Sequence, residues 1–156
     1  MGLDMYLNAK KFYSSANWRG EESKKAFDEL KEFANIPDSY MKHTFMPSAY
    51  LEISVGYWRK ANQIHQWFVE NCQNGEDDCR TTYVSREKLQ ELLGLCKEVK
   101  KNPKKADELL PTSAGCFFGS QDYDEYYFEE LKRSISMLTD ILKMPDEWEF
   151  TYQSSW

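Results

Sequence analysis

The segment Gly56-Tyr57-Trp58-Arg59-Lys60-Ala61-Asn62-Gln63-Ile64-His65-Gln66-Trp67 concentrates side chains that can recognise a ligand. Trp58, Asn62 and His65 are spaced i, i+4 and i+7, so on a helix they share one strip, with Arg59 at its outer edge. An aromatic plane, an amide, an imidazole and a guanidinium are the parts of a nucleotide site. The ring stacks on a base, the amide reads its edge and the cation pairs with phosphate. The same pattern also describes a core helix, in which Trp58 and Trp67 pack inward and His65 bonds a neighbour.

A second cluster runs from Phe117 to Tyr127 and reads FFGSQDYDEYY. Asp122, Asp124 and Glu125 stand where acids complement the positive end of a helix, so capping accounts for them. The oxygen spacing of a calcium loop is absent, and no metal site is expected. Tyr123 and Tyr126 are candidates for the walls of a pocket or an interface. Elsewhere there is no nucleophile elbow, no phosphate-binding glycine loop, no H-E-x-x-H and no dinucleotide fingerprint. The sequence therefore names no catalytic residue and no cofactor. His43 and His65 are the two histidines. His65 with a distant acid is the one constellation from which a small nucleotide-acting enzyme would be built.

The elements that must position these clusters follow from periodicity. Leu3, Met5 and Leu7 alternate with polar residues as a half-buried strand. Ala26, Phe27, Leu30 and Phe33 recur at helical spacing before Pro37, and residues 37–49 read as a loop carrying His43. Leu51, Ile53 and Val55 alternate as a short strand, or equally begin the helix that follows. A helical stripe of Tyr57, Ala61, Ile64, Phe68 and Cys72 then predicts a helix beginning near Tyr57. Thr81 to Val84 suits a strand, and Ser85 a helix cap. The helix that follows would bury Leu89, Leu92, Leu93, Cys96 and Val99. Residues 102–121, broken by Pro103, Pro111, Gly115 and Gly119, form a long connection. A last helix opened by Asp122 or Asp124 carries Tyr127, Leu131, Ser134, Leu138 and Leu142, and Trp148, Phe150 and Tyr152 close the chain as a strand. About four helices and three to five short strands in one globular domain over 1–156 make the class α+β.

Composition limits the functions available. Aromatic residues are 15% of the 156, too many for a disordered chain, and they suit both a core and a binding surface. The net charge of −6 disfavours direct nucleic-acid binding, which needs a basic surface. No apolar run approaches a membrane span, and the start has neither a signal-peptide pattern nor a myristoylation pattern. The cytoplasm is the expected compartment. Cys72, Cys79, Cys96 and Cys116 form no C-x-x-C pair, so zinc and thioredoxin chemistry have no support. A Cys72–Cys79 bridge would need an oxidising setting, and free thiols are expected.

Four stretches together carry a resemblance. They are MGLDMYL at 1–7, GYWRKANQIHQWFV at 56–69, FGSQDYDEYY at 118–127 and FTYQSSW at 150–156. In these the chain resembles a family of small phage and prophage proteins of unsettled function. The resemblance implies a phage-encoded accessory protein acting on host defence from within the host cytoplasm, by stoichiometric binding rather than turnover. It brings no catalytic residue with it. The leading expectation is a protein that sequesters a nucleotide-type signalling molecule through Trp58, Arg59, Asn62, His65, Tyr123 and Tyr126. The runner-up is a protein inhibitor that covers a host defence effector or nuclease, and self-association into a homo-oligomer is left open.

Overall fold

In the computed structural model, which describes residues 2–115 and 117–156, the alternating N-terminal run becomes a long strand, β1 (Asp4–Ser14). Leu3, Met5, Leu7 and Ala9 are fully buried on one face, as the period of two requires. Three further strands follow: β2 (Ser48–Arg59), β3 (Thr82–Val84) and β4 (Glu149–Ser155). They form a four-stranded antiparallel sheet in the order β2-β1-β4-β3. β3 meets β4 in the register Thr82–Tyr152, Tyr83–Thr151 and Val84–Phe150. The helices are α1 (Glu21–Phe33), α2 (Asn62–Cys72), α3 (Arg86–Lys101), the single turn α4 (Ala106–Leu109) and α5 (Glu125–Ile141). The class is α+β, as the periodicity predicts.

Local chemistry places several ends. Ser85 Oγ accepts from Lys88 N and starts α3, and Asp124 Oδ1 accepts from Tyr127 N at 3.0 Å and starts α5, the two N-caps expected from sequence. α1 ends at Ala34, followed by Asn35 in the left-handed region at φ 53°. Asn35 N–H donates to Glu32 O, and Ile36 N–H to Lys31 O. Those are the two bonds of a Schellman turn, with asparagine in the place glycine usually takes. The predicted faces of α3 and α5 are buried except for Leu93 and Leu142, which are half-buried, and these helices pack on one another. Each of Leu89, Leu92, Leu131 and Leu138 gains roughly 1.5–3 kcal/mol from that burial.

Two expectations about elements need correction. The stretch from Tyr57 does not begin a helix: β2 continues through Arg59, Lys60 turns the chain at φ 57°, and α2 starts at Asn62. Strand propensity of Val55, Tyr57 and Trp58 outweighs the helical stripe. A non-glycine residue in the left-handed region then makes the corner, which periodicity does not announce. The long connection 102–121 also holds a 3-10 turn at Pro103–Lys105 and the turn α4, which seat Ala106 and Leu110 in the core.

The chain divides into two compact units, Met1–Ala9 with Ser54–Trp156 and Lys10–Ile53. They are called here the main unit and the arm.

Candidate functional site

Within the main unit the first predicted cluster is built inward. Trp58 is fully buried. Its Nε1–H donates to Ser134 Oγ at 2.8 Å, and Ser134 in turn donates to Glu130 O at 2.7 Å. Phe68 lies edge-on to the indole with centroids 5.8 Å apart. The indole is a core anchor with its polar atom satisfied, so the expectation that it stacks on a base is corrected.

Asn62 is buried too, and all its contacts go to one segment. Its Nδ2 donates to Ser120 O at 2.8 Å and Phe118 O at 3.2 Å, while Ser113 N–H donates to Asn62 Oδ1 at 3.0 Å. The amide therefore clamps the segment 113–120 to the start of α2. It has no edge left for a ligand base. The two aromatic clusters thus do meet, but they meet as packed structure: Gly119 sits at φ 98°, and a Cβ there would come within 3.1 Å of Lys60 Cβ and O.

His65 is 1% exposed. Its Nε2 lies 2.9 Å from Asp77 Oδ2 and its Nδ1 2.8 Å from the Tyr152 hydroxyl. A carboxylate only accepts, so the Nε2–H points to Asp77, and in the neutral ring Nδ1 then accepts from Tyr152. Burial raises the Tyr152 phenol well above its ordinary value, which keeps its proton in place for that bond. Asp77 Oδ1 accepts from Trp156 Nε1 at 3.0 Å, and Phe118 meets the imidazole edge-on at 5.1 Å. This Asp–His–Tyr chain has the order of a general-base relay, but the hydroxyl it serves is fully buried. It ties α2, the acidic turn after it and β4 together.

Arg59, Tyr123 and Tyr126 remain at the surface. Tyr126 donates its hydroxyl to Arg59 O at 2.9 Å. The Arg59 side chain is exposed, with Nε 3.9 Å from Asp4 Oδ1. Asp4 also accepts from the Tyr57 hydroxyl, and that bond raises the Tyr57 phenol above its usual value. Tyr123 is partly exposed and lies edge-on to Tyr127. Of the six predicted residues, three are interior and three line the surface beside them. Among the described residues no group of three or more histidine, cysteine, aspartate or glutamate side chains is arranged to hold a metal, and no helix is long and apolar enough to cross a membrane.

The arm has a surface of a different character. Trp18, Phe33, Tyr40, Phe45 and Tyr50 are between 57% and 94% exposed, with Phe33 at 88% and Phe45 at 94%. Ile36, Met46 and Ile53 are exposed beside them in sequence. Phe27, Leu30, Phe33, Ala34, Ile36 and Tyr50 are among the residues lining a groove of about 360 Å³. The Schellman turn sets Ile36 just beyond the end of α1, next in the chain to exposed Phe33 and Ala34. Lys10 lies over the Tyr50 ring at 4.2 Å, and the Arg19 guanidinium over Trp18 at 4.7 Å, so cations cover part of the aromatic surface. Helical spacing places Phe33 on the face of α1, and residues 37–49 read as a loop, whereas Phe33 is 88% exposed and β2 already begins at Ser48. The available signal was that Tyr40, Phe45 and Met46 are large apolar residues in a loop with no periodic partner.

No protein-family model, curated protein or solved structure matches this chain.

Proposed function

We propose that this protein is a non-catalytic protein-binding module whose working surface is the arm. One observation carries this conclusion. Lys10–Ile53 exposes five large aromatic side chains, while its own buried apolar side chain is Phe27. Exposed apolar patches of this kind mark sites of protein contact, and aromatic residues dominate the energetics of such contacts. The phage-like resemblance supports a host defence effector as the target, blocked stoichiometrically in the cytoplasm of the infected cell. Capture from host lysate by the protein and by its Phe33→Ser and Phe45→Ser variants tests this. A protein retained by the parent and lost with both variants is the expected outcome, and equal capture by all three overturns it.

Sequestration of a nucleotide-type signal rests on less. Three of its six side chains are engaged inside the main unit, leaving Arg59, Tyr123 and Tyr126. Calorimetric titration against cyclic and ADP-ribose-type nucleotides decides it: binding that Arg59→Ala abolishes would restore that function in place of protein contact.

A further inference from the structure

Resting on the protein-binding conclusion above, we infer that in the absence of a target the arm is covered by a second copy of this chain, in a two-fold dimer. Three observations point to that occupant.

The first is area. A buried aromatic contributes about 150–250 Å². At their exposures, Trp18, Phe33, Tyr40, Phe45 and Tyr50 offer roughly 550–950 Å² between them. Phe33 and Tyr50 line one groove, and Phe12 packs on both Trp18 and Tyr50; were all five rings buried together, the area would bracket the ~800 Å² per partner of a stable interface.

The second is charge. Lys10–Ile53 contains seven basic residues (Lys10, Lys11, Arg19, Lys24, Lys25, Lys31, Lys42) and seven acidic ones (Glu21, Glu22, Asp28, Glu29, Glu32, Asp38, Glu52). The arm is neutral, so the whole net charge of −6 belongs to the main unit. A neutral surface meets its own copy without repulsion. A surface dedicated to one charged target would be expected to carry the complementary sign, because that is what steers encounter.

The third is the degree of exposure. Phe33 is 88% and Phe45 94% exposed, so each presents nearly its whole ring to a partner. A target that arrives later cannot protect them in the meantime, whereas a second copy is present from synthesis. Homodimer interfaces are also the class richest in apolar area. The same surface would then serve twice, closed on itself in storage and opened onto the target in action.

Light scattering after size exclusion, over protein concentrations from about 1 to 100 μM, reads the mass directly. The expected result is twice the chain mass at the upper end. Phe33→Ser and Phe45→Ser should each weaken the dimer by at least about tenfold. Both side chains are nearly free of the fold, so circular dichroism should be unchanged. Tyr83→Ser, an exposed aromatic on β3 in the main unit, should leave the mass as it was. A monomer throughout the range overturns the dimer, and arm-dependent capture from lysate would then still stand for the protein-binding conclusion. A dimer lost with Tyr83→Ser but not with the arm variants overturns it as well. If the arm variants change neither mass nor capture, both conclusions fall.

Discussion

The main unit and the arm are made from similar residues put to opposite uses. Of the 25 buried apolar side chains among the described residues, 24 lie in the main unit, and the arm holds only Phe27. The arm is not poor in large apolar residues; it exposes them. The difference is one of partners. In the main unit α3 and α5 pack on each other, whereas of the apolar residues in the arm only Phe27 is buried, Phe12, Tyr13, Leu30, Met41 and Leu51 are half-buried, and the largest exposed rings end at solvent. A segment of 44 residues is close to the size, about 40, below which burial alone is seldom adequate. The lesson is that the aromatic content of this chain divides by place, into core and contact surface, rather than by residue type.

The sharpest way to break the contrast is at Trp58. Truncation to alanine should cost about 3–5 kcal/mol in urea unfolding, because it empties a large core volume and removes the donor to Ser134 Oγ. A change under about 1 kcal/mol would mean that the indole is not the anchor described. Next in size is Asn62→Ala. It removes both donors and the acceptor that hold 113–120, at an expected cost of about 2–3 kcal/mol. It should also raise hydrogen exchange at Ser113 and at neighbouring amides of that segment; unchanged exchange would refute the clamp.

A smaller effect follows from Cys96. Burial pushes its thiol up to about 12 from an ordinary value near 9. A group that stays protonated longer in the folded state than in the unfolded one supports the fold below the unfolded pKa. That support is lost as pH rises from about 9 towards 12. Comparing urea unfolding of the parent and Cys96→Ala at pH 8 and pH 10, the gap between them should narrow by about 1 kcal/mol at the higher pH. A constant gap would show that the thiol is not buried. Burial likewise raises the Cys72 thiol, to about 11, so neither should react with a thiol-specific reagent in the folded state at pH 7.

The smallest expected effect on stability sharpens the comparison from the other side. Phe45→Ser and Phe33→Ser should alter the unfolding free energy of the monomer by under about 0.5 kcal/mol, as for exposed positions elsewhere. A loss of 2 kcal/mol or more would place these rings in an internal core and remove the basis for contact. A brief protease digest should also cut within 10–53 before it cuts the main unit, since few buried contacts hold that segment.

Much of the fold was legible without coordinates. Period-two runs marked β1 and β4, helical stripes marked the inner faces of α3 and α5, Ser85 marked the start of α3, and the start of α5 was narrowed to Asp122 or Asp124, of which the fold uses Asp124. All of these are local signals, written within a few residues. The candidate site was less legible. Asn62 and His65 were recognised as chemically rich, and the bland alternative for His65, a bond to a neighbour, is what the fold uses. Its partners Asp77 and Tyr152 stand 12 and 87 residues away. No spacing rule reaches that far.

The sequence by itself determined the α+β class, the acidic balance and the stock of aromatic side chains, because periodicity, charge and composition act locally or additively. Only the tertiary structure decided which aromatics are core and which are surface. Trp58 turns inward because β2 runs on to Arg59 and Lys60 makes the corner, placing the indole against Ser134. Phe33 and Phe45 stay in solvent because, within the arm, no second layer packs over them. Burial is a property of what comes to lie opposite a residue, and for these rings the chain folds nothing there.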